Sequence, residues 1–115
     1  MAYDERVAER VREIVQSRSG ISERKMFGGL AFMLQGHMFI GVLGSTLMAR
    51  VGPDEYANAL KRPYVREMDF TGRPMKGYVY VDPDGFGSVE ALRFWLDKCY
   101  EFAASLPPKP PKQRE

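Results

Sequence analysis

Few residues in this sequence carry the chemistry of catalysis, and those few stand apart. There is one histidine, His37, and one cysteine, Cys99. A lone imidazole can serve as general base or metal ligand, and a thiolate can serve as nucleophile. Neither works without partners: no second histidine exists, Cys99 falls on the apolar stripe of a helical pattern, and no pair of carboxylates has a diagnostic spacing. Cys99 therefore reads as a small core hydrophobe. In "DPDGFG", Asp82, Asp84 and Gly85 match the start of a calcium loop, but the spacing fails beyond the glycine and no bidentate glutamate follows at the required position. A turn leading into a helix explains them. Gly28-Gly29 precedes a strand pattern, lacks the Lys-Ser/Thr of a phosphate loop, and reads as a bulge or sharp bend. These residues assign no catalytic group, no cofactor and no metal.

The elements that would position these groups can be read from periodicity. Val7, Val11, Ile14 and Val15 recur at helical spacing, so residues 4–17 predict an amphipathic helix capped by Asp4 and followed by Gly20. Gln35-Gly36 and Gly44-Ser45 each separate two apolar runs by two residues, the signal of a meander in which Leu34 pairs with His37 and Leu43 with Thr46. Regular alternation then places Ala31, Met33, Met38, Ile40, Val42, Leu47, Ala49 and Val51 on one apolar side. The opposite side collects Leu30, Phe32, Leu34, His37, Phe39, Leu43, Thr46, Met48 and Arg50, with Arg50 across from Phe39 at cation-π distance.

Pro53, Asp54 and Glu55 start a short helix that Arg62-Pro63 ends. The stretch from Val65 to Gly85 alternates on both sides of Thr71-Gly72-Arg73-Pro74 and predicts a second hairpin or strand-loop-strand, with Val79 and Val81 inward and Tyr78 and Tyr80 on the other face. Ser88 caps a last helix whose buried stripe is Leu92, Trp95, Leu96, Cys99, Phe102 and Ala103. The fold class expected is α+β: an antiparallel β-sheet (meander plus second hairpin) packed by N- and C-terminal helices and one short middle helix. Residues 107–115, "PPKPPKQRE", read as a proline-rich disordered tail; Pro107 and Pro110 match a PxxP ligand formally, but a solubilising tail is the reading adopted.

The sequence has 115 residues, 44% hydrophobic and 28% charged, which is the profile of one ordinary domain. With one cysteine there is no intrachain disulfide, no segment approaches the roughly 18–20 apolar residues of a membrane span, and the N-terminus shows no leader pattern, so a cytoplasmic protein without membrane contact is expected. A net charge of +2 does not imply nucleic-acid binding by itself. Its distribution is uneven. Lys61, Arg62, Arg66, Arg73 and Lys76 face only Glu67 and Asp69 within residues 61–76, whereas residues 77–104 hold five acids against two bases. This basic segment, with Tyr64 and Phe70 interleaved, could dock a nucleic acid, an acidic partner or a second copy of the chain, or simply be solvated.

Three stretches, "KMFGGLAFM", "LMARVGPDEYANAL" and "MDFTGRPMKGYVYVDP", strongly resemble the N-terminal domain of the TfoX (Sxy) competence regulators, over roughly residues 2–106. The resemblance implies an α/β domain with an antiparallel sheet and flanking helices. It also implies a link to transcriptional activation of DNA-uptake genes in some bacteria through a partner regulator. Full-length members carry a second, C-terminal domain, so residues 1–106 are read as a stand-alone N-terminal domain.

The function expected is thus that of a non-catalytic interaction module in transcriptional regulation, acting through a protein partner or through self-association as a homodimer. The alternative is a nucleic-acid-binding accessory protein using residues 61–76, and an enzyme stands third. Because the all-apolar side of the sheet has first claim on the helices, Phe32, Phe39, Leu43, Met48 and Arg50 are expected to leave an open patch for self-association or partner binding; the competing reading is that the helices cover both sides and these residues form a second small core.

Overall fold

The computed structural model describes residues 3–26, 28–68 and 76–107. The first helix, α1 (Glu5–Val15), begins where Asp4 in an extended conformation accepts a hydrogen bond from the Arg6 amide at 2.9 Å. That bond satisfies one of the amides left without a partner in the first turn. Its buried stripe is Val7, Ala8, Val11, Ile14 and Val15. A strand missing from the sequence reading follows, β1 (Ile21–Met26), in which Ser22, Glu23, Arg24 and Lys25 are all exposed. A sheet-edge strand of this polarity shows no apolar alternation by which to recognise it, and its charges protect the open edge. The turn after β1 carries Gly28 at φ +76°, and Gly29 opens β2 (Gly29–Leu34), so the glycine pair bends the chain.

Two tight turns then produce β3 (His37–Leu43) and β4 (Thr46–Arg50), with Leu34 opposite His37 and Leu43 opposite Thr46 as expected. Between these turns the register departs from regular alternation. Met33 pairs with Met38 but Phe32 pairs with Ile40, so β3 carries one extra residue at Phe39. A bulge exchanges faces for everything beyond it. The side that packs against the helices therefore collects Leu30, Phe32, Leu34, Phe39, Ile40, Val42, Leu47, Ala49 and Val51. Ala31, Met33, Met38 and Met48 lie in a separate cluster with Met68 and Tyr80. This corrects the expected faces: Phe32 and Phe39 belong to the main core, and Ala31, Met33 and Met38 do not.

The second helix, α2 (Tyr56–Leu60), starts three residues after Pro53, behind a turn and without a side-chain cap. Beyond it, β5 (Val65–Glu67) lies at the sheet edge and β6 (Tyr78–Val81) inserts between it and β4, giving one antiparallel sheet of order β1-β2-β3-β4-β6-β5. Val79 and Val81 point into the main core, and Tyr80 and Tyr78 join the methionine-rich cluster. The expected loop at Thr71–Pro74 lies outside the described residues. A 3-10 turn (Pro83–Phe86) leads to Ser88, whose hydroxyl accepts from the Ala91 amide at 3.1 Å and opens α3 (Val89–Ala104). Leu92, Trp95, Leu96, Cys99 and Ala103 are buried from α3, and Phe102 is half-buried. The architecture is α+β, with the three described α-helices on one face of the six-stranded sheet. Among the described residues no helix is long and apolar enough to cross a membrane.

Candidate functional site

The five residues expected to form one open patch are distributed over both sides of the sheet. Phe32 and Phe39 are fully buried beneath the helices, and the Phe39 ring meets Tyr100 of α3 edge-on, with centroids 5.8 Å apart at 86°. Met48 is fully buried on the opposite face, where Leu43 is partly buried. Arg50 does not stack on Phe39. Its guanidinium sits 5.3 Å from the Tyr78 ring centroid and 5.4 Å from that of Phe102, and its Nη1 donates to the Met38 carbonyl at 3.4 Å. The bulge is the physical reason, because it rotates Phe39 away from the face that Arg50 shares.

The basic segment is partly neutralised by its own fold. Arg66 on β5 donates two parallel hydrogen bonds to Asp82, from Nε to Oδ2 at 3.0 Å and from Nη2 to Oδ1 at 2.6 Å, and lies 5.1 Å from the Tyr80 ring centroid. These bonds hold the Asp82 carboxyl below its ordinary pKa, with a smaller contribution from Thr46. The Arg62 guanidinium stacks 4.0 Å from the Phe94 ring centroid. Lys61 and Lys76 are exposed, and Arg73 and Phe70 lie outside the described residues. The segment is therefore not a uniform cationic surface.

Both isolated candidates for chemistry are engaged elsewhere. His37, at the β2–β3 turn, places Nε2 2.7 Å from the Pro107 carbonyl oxygen, which ties the end of the described chain to the sheet. Cys99 is wholly buried, and that burial pushes its thiol far above its ordinary pKa, the reverse of what a nucleophile requires. Asp82 is committed to Arg66. Among the described residues, no three of His, Cys, Asp and Glu gather as a metal site.

A groove of about 370 Å³ does draw polar and aromatic groups together, between the α2–β5 connection and the start of α3. It is lined by Arg62, Pro63, Tyr64, Asp84, Gly85, Glu90, Ala91, Phe94 and Trp95. Tyr64 is 53% exposed and adopts φ +67°, a conformation that a bulky side chain rarely takes and that strains the backbone. Its carbonyl is held in place by the Asp82 amide at 2.8 Å. Gly85 lies close behind it, since a Cβ at that position would come 3.2 Å from the Tyr64 Cβ and 2.7 Å from Val81 Cγ1.

The other wall is clamped from two sides. Trp95 Nε1 donates to the Gly85 carbonyl at 3.3 Å, and Arg10 of α1 donates through Nη2 to the carbonyls of Phe86 and Gly87 at 2.9 and 3.2 Å. Arg62, Phe94 and Trp95 also line a second groove of about 330 Å³, with Glu55 and Lys98, which pair at 3.2 Å. Asp84 and Glu90 form no ion pair among the described residues. An exposed tyrosine, an aromatic floor and two unpaired carboxylates can bind a ligand with apolar and cationic groups. Sequence reading missed this site. Tyr64 was grouped with the basic segment, Trp95 with the core, and Asp84 and Glu90 with the acidic last third, and no local pattern joins them.

A family model described as the TfoX N-terminal domain matches residues 13–103, and no curated protein matches the chain.

Proposed function

This chain belongs to the TfoX N-terminal domain family, and from that membership we propose that it works by binding a protein partner rather than by catalysis. The setting assigned is the one the family implies, activation of transcription of DNA-uptake genes through a partner regulator. The observation that carries the reading is the groove around Tyr64. A backbone strained into the left-handed region holds a large aromatic side chain half out in solvent, in a groove that Phe94 and Trp95 also line, where packing alone would favour its burial. Such an aromatic anchor in a concave, largely apolar site is the usual centre of binding energy in an interface. Pairing of Arg66 with Asp82 and stacking of Arg62 on Phe94 weaken the nucleic-acid alternative, since both cations already have partners.

The test combines a Tyr64→Asn variant with transcription and binding readouts. Asparagine tolerates the left-handed conformation, so the fold should survive. Loss of reporter activation and of capture of the partner regulator, with an unchanged melting temperature, is expected. Undiminished activation by the variant would overturn the proposal. So would a gel-shift of DNA by the unmodified protein that weakens steeply with added salt, since that dependence marks phosphate contacts.

A further inference from the structure

Twice among the described residues an arginine is held in the same way, between a carboxylate and a tyrosine ring. Arg66 donates its two parallel hydrogen bonds to Asp82 and lies 5.1 Å from the Tyr80 ring centroid. Arg18 donates to Asp97 and lies 4.7 Å from the Tyr100 ring centroid. Both complements suit a guanidinium: its edge forks onto a carboxylate, while its flat and weakly hydrated face stacks on an aromatic ring.

The groove presents the same two complements to solvent. Tyr64 is exposed there, and Gly85 backs onto it, since a Cβ at Gly85 would come 3.2 Å from the Tyr64 Cβ. Asp84 precedes that glycine and lines the groove with Glu90 from the first turn of α3. Neither carboxylate forms an ion pair among the described residues. The arginines of the surrounding elements have other settings. Arg62 is stacked on Phe94, Arg10 donates to the Phe86 and Gly87 carbonyls, and Arg93 lines a separate hollow between α1 and α3.

On the reading that the groove binds a protein, we infer that the partner presents an arginine to it, with the guanidinium stacked on Tyr64 and bonded to Asp84 or Glu90. Charge selects this occupant. Two unpaired carboxylates attract a cation and repel a phosphate backbone or an acidic peptide. Arginine is favoured over lysine, because an ammonium gives up more hydration to reach a ring and cannot fork onto a carboxylate. The Tyr64 backbone is already fixed at φ +67° with its carbonyl bonded to the Asp82 amide, so the residue loses little freedom when the arginine arrives.

The test titrates the isotope-labelled full-length protein with the peptide Ac-Gly-Arg-Gly-NH2 and follows the backbone amide shifts, with lysine and citrulline versions as controls. Citrulline keeps the shape of arginine and removes its charge. Saturable shifts at Tyr64, Gly85 and Glu90 are expected. The citrulline peptide should bind about tenfold or more weaker, and the lysine peptide should fall between the two. The arginine peptide should lose a similar factor on Tyr64→Asn and on the double variant Asp84→Asn/Glu90→Gln, while melting temperatures hold. No saturable shift, equal binding of arginine and citrulline, or binding indifferent to both variants overturns the inference. Reporter activation separates it from the reading on which it rests. If Tyr64→Asn abolishes activation but the arginine peptide does not bind, the arginine assignment falls while the groove stands as a partner site. If the arginine peptide binds as expected but both variants activate normally, recognition of arginine stands and the regulatory reading falls.

Discussion

Arg66 and Asp82 face each other as a fork and a carboxylate, with Nε–Oδ2 at 3.0 Å and Nη2–Oδ1 at 2.6 Å. The pair joins the edge strand β5 to the residue that follows β6. Its side chains are 53% and 33% exposed, so solvent screening keeps its contribution to about 0.5–1 kcal/mol. The Asp82 pKa is lowered in the fold, chiefly by Arg66, so this stability is fully present above the unfolded value near about 3.9 and is lost as pH falls through the folded value. Asp82→Asn should lower stability by that amount at neutral pH, and the gap to the unmodified protein should close in strong acid. Thermal melts of both proteins from neutral to acidic pH check it; a gap independent of pH would contradict the ion-pair account.

The bulge at Phe39 makes two consecutive residues core residues. Phe39 and Ile40 are both completely buried on the helix side of the sheet. Phe39→Ser and Ile40→Asp should each destabilise the domain severely, by about 3–5 kcal/mol or more. Regular alternation would spare one of them, so denaturant titration of both variants tests the bulge directly.

Gly52 has φ +89°, and a Cβ there would lie 2.5 Å from Phe102 Cδ1. Gly44 also has positive φ, at 59°, but faces open space. Gly44→Ala should therefore show the conformational cost alone, about 1–2 kcal/mol, and Gly52→Ala should exceed it because the Phe102 ring must move as well. Equal melting temperatures for the two variants would show that the ring adjusts freely.

Cys99 should be silent to thiol reagents in the native protein and react fully in denaturant. Its raised pKa also predicts an alkaline effect. Because the unfolded thiol ionises near about 8.5 and the buried one does not, the stability linked to this group is present below that pH and is lost as pH rises above it. Cys99→Ala should be less stable overall, through lost packing, yet show a shallower decline in stability at high pH. Parallel slopes for the two proteins would mean that the native thiol titrates normally.

Much of the fold was legible in the sequence because it is locally determined. Asp4 and Ser88 bond to amides two and three residues away, Gln35-Gly36 and Gly44-Ser45 reverse the chain within two residues, and the stripe from Leu92 to Ala103 follows from helical period alone. The tertiary structure decided what depends on residues far apart in the chain. One extra residue at Phe39 reassigned half of the meander to the other face, because strand alternation has a period of two and any single insertion inverts it. The polar β1 has no apolar rhythm of its own and exists as a strand through its pairing with β2. Likewise Arg66 meets Asp82 only because β6 inserts beside β5, and Tyr64 comes together with Glu90 and Phe94 only because the α2–β5 connection packs against α3. Chemistry assembled from separate segments leaves no spacing to read in any one of them, which is why the groove required the folded chain.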